Sequence, residues 1–182
     1  MNSNSNTRIE STNPTPDYCN FFIGADKHKW ASHIKNYTRL LYTNLWQGIN
    51  LEIIGQDNSA KYNFYIKPGA DPADVKLEYN RLDKISLHKK QLIIKTALNE
   101  ITEHEPYAYQ VINGEKIEVP CEYSLKKKTV SFIFPKGYNK NYELVIDPVL
   151  VFAACSGSVA DNFGFTERIT TISVLLQRQN AL

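Results

Sequence analysis

Between Ile49 and Phe134 the chain keeps returning to a period of two. Ile49, Leu51 and Ile53 alternate with Asn50, Glu52 and Ile54. Tyr62, Phe64 and Ile66 alternate with Lys61, Asn63, Tyr65 and Lys67, and Val75, Leu77 and Tyr79 with Lys76, Glu78 and Asn80. Ile117, Val119, Cys121, Tyr123 and Leu125 are separated by Glu118, Pro120, Glu122 and Ser124, and Val130, Phe132 and Phe134 follow. Successive side chains of a strand point to opposite faces, so each run has one dry face and one wet face. That is the pattern of antiparallel sheets sharing one core. The expected fold is all-β, mainly antiparallel and sandwich-like, with many short strands and at most one or two short helices. Eleven tyrosines and an aromatic content of 12% fit pleated, half-buried surfaces.

Turn residues separate the runs. Asn113-Gly114 between Val111 and Ile117 is a strong hairpin signal, because both residues tolerate positive φ. Lys126-Lys127-Lys128 lies between two alternating runs and reads as a solvated hairpin turn. Pro120 has no N–H for a ladder, which places its run at an edge or a bulge. Tyr142 to Phe152 reads as two apolar runs broken at Asp147-Pro148: strand, break, strand. The break is expected to close one folded unit and open another.

At the start, residues 1–17 are rich in Asn, Ser, Thr and Pro and read as a flexible lead-in. Asp26 suits a helix N-cap, with Trp30 and Ile34 on one face of a short helical turn within 26–37. Glu167 to Leu182 mixes a helical apolar stripe with β-favouring Thr170, Thr171 and Val174, and its type stays open.

A chain of 182 residues is long enough for one domain that buries roughly 70% of its unfolded surface. The net charge of +2 comes from interspersed Lys and Glu, without the basic stripe of a nucleic-acid binder. No run reaches the roughly 18 apolar residues of a membrane span, so no membrane insertion is expected. The N-terminus has no basic and apolar signal-peptide regions, so the polypeptide as written would stay in the cytoplasm. Cys19, Cys121 and Cys155 are odd in number and far apart. They form neither a metal spacing nor a disulfide framework, and the pairing of a single disulfide stays open. Cys121 alternates with Val119 and Tyr123 and reads as a small core residue.

Chemistry-bearing patterns are sparse. Glu103-His104-Glu105 resembles a metal cluster, but a strand would point His104 away from both glutamates. Asp71 and Asp74 lie in a turn too poor in oxygen ligands for calcium. His28 and His33 read as surface residues. Ser156-Gly157-Ser158 lacks the frame of a nucleophile elbow, and no phosphate-binding glycine motif is present. No catalytic residue, metal or cofactor is expected. Trp30 and Trp46, if exposed with the tyrosines, would offer a ligand-stacking platform for sugars. As core residues they would not, and Trp46 stands beside Leu45 and four residues from Tyr42.

Several ordered segments carry a resemblance. Asn20-Phe-Phe-Ile-Gly-Ala-Asp26 with Lys29-Trp30 and Leu45-Trp-Gln-Gly-Ile-Asn-Leu51 are two. Tyr62-Asn-Phe-Tyr-Ile-Lys-Pro-Gly-Ala-Asp-Pro72, Glu105-Pro-Tyr-Ala-Tyr-Gln110 and Leu144-Val-Ile-Asp-Pro148 are the others. Over residues 18–165 the chain resembles the DUF7948-type β-rich domain that precedes SBBP propeller-type repeats in bacterial secreted or cell-surface proteins. Ser156-Gly157 with Asp161-Asn-Phe-Gly164 is similar to the opening of a first repeat blade.

The resemblance implies a β-rich domain over 18–148 and a truncated repeat start with a divergent tail over 149–182. It implies an extracellular or cell-surface location and no catalytic residue. Such proteins carry a signal peptide and an earlier part of the domain, and this chain reads as starting after both. The tail reads as truncated or frame-shifted. The expected function is that of a non-enzymatic structural or interaction module. Its expected partners are the propeller repeats of the same large protein, with glycans or other surface proteins beyond them. A carbohydrate-binding module and a hydrolase using carboxylates or a metal near His104 or Asp71 are the alternatives.

Overall fold

The computed structural model describes residues 4–56, 59–79, 83–95, 100–148 and 150–151. In chain order its strands are β1 (Arg8–Phe21), β2 (Ala31–Trp46), β3 (Ile49–Gln56), β4 (Ser59–Ile66) and β5 (Leu77–Glu78). Then come β6 (Lys84–His88), β7 (Gln91–Lys95), β8 (Glu100–Glu103), β9 (Tyr107–Ile112) and β10 (Glu115–Glu118). The last are β11 (Glu122–Lys126), β12 (Thr129–Ile133), β13 (Leu144–Asp147) and β14 (Leu150–Val151). The fold is all-β, as the alternation predicts. Its only helical pieces among the described residues are the 3-10 turns Lys27–Lys29 and Pro72–Asp74.

The strands form a seven-stranded sheet in the order β1-β2-β3-β4-β13-β9-β10, a three-stranded sheet β11-β12-β5 and a four-stranded sheet β14-β8-β7-β6. Neighbours pair antiparallel throughout. One face of the large sheet meets the two smaller sheets in a single core. Leu45, Ile49 and Phe64 join Leu92, Val130 and Ile146 there, all with no exposed surface. Phe64 and Phe132 meet at 5.8 Å between centroids, joining the large sheet to the three-stranded one. Burying side chains of this size contributes about 1.5–3 kcal/mol each.

Two hairpins follow the sequence expectation. Asn113 and Gly114 adopt φ of 54° and 86° between Ile112 and its partner Glu115. Lys127 and Lys128 turn the chain between the paired Lys126 and Thr129.

Elsewhere the structure corrects the reading. The expected flexible lead-in of residues 1–17 is strand from Arg8 onward, because β1 pairs with β2 from Arg8↔Thr43 to Phe21↔Ala31, with register shifts between Pro14 and Tyr18 and between Cys19 and Phe21. Pro14 and Pro16 are tolerated there because β1 is an edge strand. The helical turn within 26–37 shrinks to Lys27–Lys29. Asp26 caps it, its Oδ1 accepting from His28 N, and strand resumes at Ala31. The run from Ile117 to Leu125 is two strands rather than one. Pro120 ends the ladder of β10, and the chain re-enters as β11 in a different sheet.

Asp147-Pro148 is a break of the same kind. However, β13 lies in the interior of the large sheet between β4 and β9, so it does not close an edge. After Pro148 the chain crosses to pair β14 with β8. Readings that fall on 152–182, including Cys155, the Ser156-Gly157 blade opening and the Glu167–Leu182 tail, lie outside the described residues.

Candidate functional site

Glu103 ends β8 with its side chain inside the core, 2% exposed. Three tyrosines from three other segments converge on it. Tyr62 of β4 and Tyr123 of β11 donate to Oε2 at 3.1 and 3.2 Å, and Tyr79, just after β5, donates to Oε1 at 3.0 Å. Burial pushes the Glu103 carboxyl above its ordinary value, while the three hydroxyl donors pull it part of the way back. The same burial, reinforced by the carboxylate, pushes the hydroxyls of Tyr62, Tyr79 and Tyr123 up. The cluster ties the large sheet to both smaller ones through one buried acid. The two carboxylate oxygens are engaged by the tyrosine hydroxyls within the frame.

The opposite, outer face of the large sheet carries a different arrangement. Alternation puts Tyr65, Tyr107, Tyr109 and Val145 on that side, since Phe64, Ala108 and Ile146 face the core. Val145 pairs with both Tyr109 and Tyr65, so the three form a row across β9, β13 and β4. The Tyr107 and Tyr109 rings lie 5.7 Å apart and 32° from parallel, and Lys116 Nζ sits over both at 4.9 and 3.7 Å. A polar row runs beside them. Asp147 is opposite Tyr107, and Asn63 is opposite Glu52. With its side-chain amide turned so that the nitrogen faces the acceptors, Asn63 donates to Asp147 Oδ1 at 2.9 Å. Tyr65 Oη donates to Glu52 Oε2 at 2.7 Å, and Arg39 Nη1 donates to Glu52 Oε1 at 2.9 Å. Burial and the Glu52 hydrogen bond push the Tyr65 hydroxyl up to about 12.

At one end of the large sheet a hollow of about 170 Å³ is lined by Lys67, Gly69, Asp71, Tyr138, Lys140 and Tyr142. Its single carboxylate is already engaged: Asp71 Oδ1 accepts from Ala73 N and caps the Pro72–Asp74 turn. Asp71 therefore does the work of turn chemistry.

The structure separates the residues singled out for stacking. Trp46 packs half-buried against Phe64, at 6.1 Å between centroids. Trp30 is exposed at the far end of the β1–β2 hairpin, edge-on to Phe22 at 5.3 Å, with its indole N–H donating to Gly24 O. They make no shared platform. His104 is exposed and its Nδ1 lies 2.9 Å from Gln91 Nε2, while Glu103 points inward and Glu105 pairs with Lys90. Among the described residues no group of three or more His, Cys, Asp or Glu converges as metal ligands would. Cys19 and Cys121 are free thiols; Cys121 is buried and Cys19 half-buried, its Sγ donating to Asn36 Oδ1 at 3.3 Å.

Fold and site together define an antiparallel β-sandwich domain whose buried acid Glu103 is held by its own tyrosines. Residues 1–149 match the family described as Domain of unknown function (DUF7948), and the chain belongs to that family. No curated protein and no solved structure matches the chain. The family segments have visible structural jobs. Gln110 is buried in β9 and its Nε2 donates to Asn139 O and Tyr142 O, while its Oε1 accepts from Asn139 N, which pins the loop before β13.

Proposed function

We propose that this domain is a non-enzymatic structural and interaction module of a bacterial secreted or cell-surface protein carrying SBBP propeller-type repeats, with those repeats as its partner. The observation that supports this most is the outer half of the β1–β2 hairpin. Strand β3 pairs with β2 only from Arg39 to Trp46, so from Pro14↔Tyr37 outward the hairpin is a two-stranded ribbon without a third strand. That ribbon and its turn expose Tyr18, Phe21, Phe22, Ile23, Trp30, Ile34 and Tyr37. Seven of the twelve large apolar side chains exposed in the described residues are these, and clustering of that kind marks contact surfaces. The ribbon is held in shape by its own contacts. Tyr18 and His33 stack at 4.6 Å, and Asn20 Oδ1 accepts from His33 N at 2.9 Å.

The test is association in trans. The chain and a separately produced repeat segment from the same surface protein should co-elute. Phe22→Ser with Trp30→Ser should abolish co-elution while leaving the melting temperature unchanged. Co-elution that survives both substitutions, or a repeat segment that never binds the wild-type chain, would overturn the reading.

A further inference from the structure

We propose that the outer face of the seven-stranded sheet is a binding platform for a neutral glycan chain, built on Tyr65, Tyr107 and Tyr109. This is independent of the ribbon and lies on a different part of the molecule. Neighbouring strands stand about 4.8 Å apart, so Tyr109 and Tyr65, two strands apart, are separated by about 9.6 Å. Val145 lies flush between them, 5% exposed. Val145 fills the gap beneath the two half-buried rings, so the rings themselves are the contact surface, spaced by about the length of a disaccharide. Sugar rings offer C–H faces to such surfaces and hydroxyls at their edges. An aromatic ring supplies the apolar half of that match. The hydroxyls need acceptors, and the carboxylates of Asp147 and Glu52, with side chains 26% and 13% exposed, keep lone pairs beyond those taken by Lys61, Asn63, Tyr65 and Arg39.

Charge decides among occupants. Two basic groups on this face are paired with acids, Arg39 with Glu52 and Lys61 Nζ with Asp147 Oδ2 at 3.7 Å, while Lys116 lies over the tyrosine rings. A nucleic acid or an acidic polysaccharide needs a run of uncompensated basic groups, whereas here Arg39 and Lys61 are already paired and Lys116 stands by itself over the rings. The tyrosines are held for the task. Tyr65 is fixed by Glu52, and Tyr107 and Tyr109 are aligned by the strand they share. Lys116 covers the rings through an exposed, flexible side chain that a stacking ligand displaces.

Affinity electrophoresis of the full chain tests this, in gels containing laminarin, hydroxyethyl cellulose, xylan or mannan, with polygalacturonate as the acidic control. At least one neutral glycan should retard the wild-type protein. Tyr107→Ala with Tyr109→Ala should weaken that binding at least tenfold, and Tyr107→Phe with Tyr109→Phe should keep it within about twofold, because the rings remain. If the double alanine variant fails to melt cooperatively, Tyr107→Ala alone should weaken binding about fivefold. Retardation by none of the neutral glycans, or by polygalacturonate alone, would overturn the proposal. So would alanine variants that bind like wild type, or a concentration-dependent dimer that buries this face. None of these outcomes bears on the ribbon and its repeat partner.

Discussion

Gly48 and Ala70 pack with no space between them: a Cβ on Gly48 would stand 3.0 Å from the Ala70 Cβ. Gly48 lies in the turn between β2 and β3, and Ala70 in the Pro68-Gly69-Ala70-Asp71-Pro72 loop after β4. Gly48 O also accepts from Lys67 N at 3.0 Å, so two of the family segments lock to each other here. Gly48 holds φ at +72°, a region that costs a residue with a Cβ about 1 kcal/mol or more. Gly48→Ala meets both penalties. It should cost about 2–3 kcal/mol in urea unfolding, whereas Gly137→Ala, at φ +68° with open space around it, should cost only the backbone share. Equal losses at the two positions would mean that the Ala70 contact carries nothing.

Glu103→Ala removes the shared acceptor of three tyrosine hydroxyls. A buried polar group left without a partner costs about 1–3 kcal/mol, so the loss should be about 3 kcal/mol or more. Glu103→Gln isolates the charge. The folded carboxyl titrates above its ordinary 4.5, so the native state holds this proton more tightly than the unfolded chain does. The group's contribution to stability is full below that ordinary value and is lost as pH rises through the folded value. Wild-type stability minus Glu103→Gln stability should therefore fall as pH rises from 4.5. A difference that stays flat or climbs would contradict burial as the dominant influence on this acid.

What local sequence could reveal follows from the range of each interaction. Asn113-Gly114 announces its hairpin because the φ it needs is written into its residue types. The hairpin between β6 and β7 turns on Lys89 and Lys90 at φ of 48° and 67°, where no glycine or asparagine marks it. The turn of the four-stranded sheet therefore carries no local signature. Strand β1 looks like a polar lead-in, because it is an edge strand without one fully buried side chain and no dry face develops. Glu103 did leave a signal: it alternates with Ile101, which puts an acid on a dry face. Its partners lie 20 to 41 residues away in sequence and only the assembled sandwich names them. The Tyr65–Val145–Tyr109 row depends on β13 inserting between β4 and β9, a long-range pairing without a local pattern.

Tyr62, Tyr65, Tyr79 and Tyr123 all hold their protons above the ordinary tyrosine value of 10. Burial is the main cause in each, so unfolding releases them to ionise. Their contribution to stability is full below pH 10 and is lost as pH rises through the folded values. At pH 11 the native protein should show at least four of its eleven tyrosines un-ionised by absorbance at 295 nm. The remaining amplitude should appear together with loss of the β-sheet circular dichroism signal. Full titration of all eleven with the sheet signal intact would show that these hydroxyls are not buried as a set.

Cys121 and Cys19 should differ in reactivity although both are free thiols. Burial, with help from the Glu122 and Glu105 carboxylates, pushes the Cys121 thiol up to about 12. Only the thiolate attacks an alkylating agent, so a raised pKa and a closed path both slow it. Cys19 sits half-buried on the ribbon, where an opening of that two-stranded segment exposes it without disturbing the core. At pH 8, iodoacetamide followed by peptide mass spectrometry should find Cys19 modified at least tenfold faster than Cys121. The two rates should converge in denaturant, where the difference in burial is gone. Comparable rates in the native protein would place Cys121 outside the core.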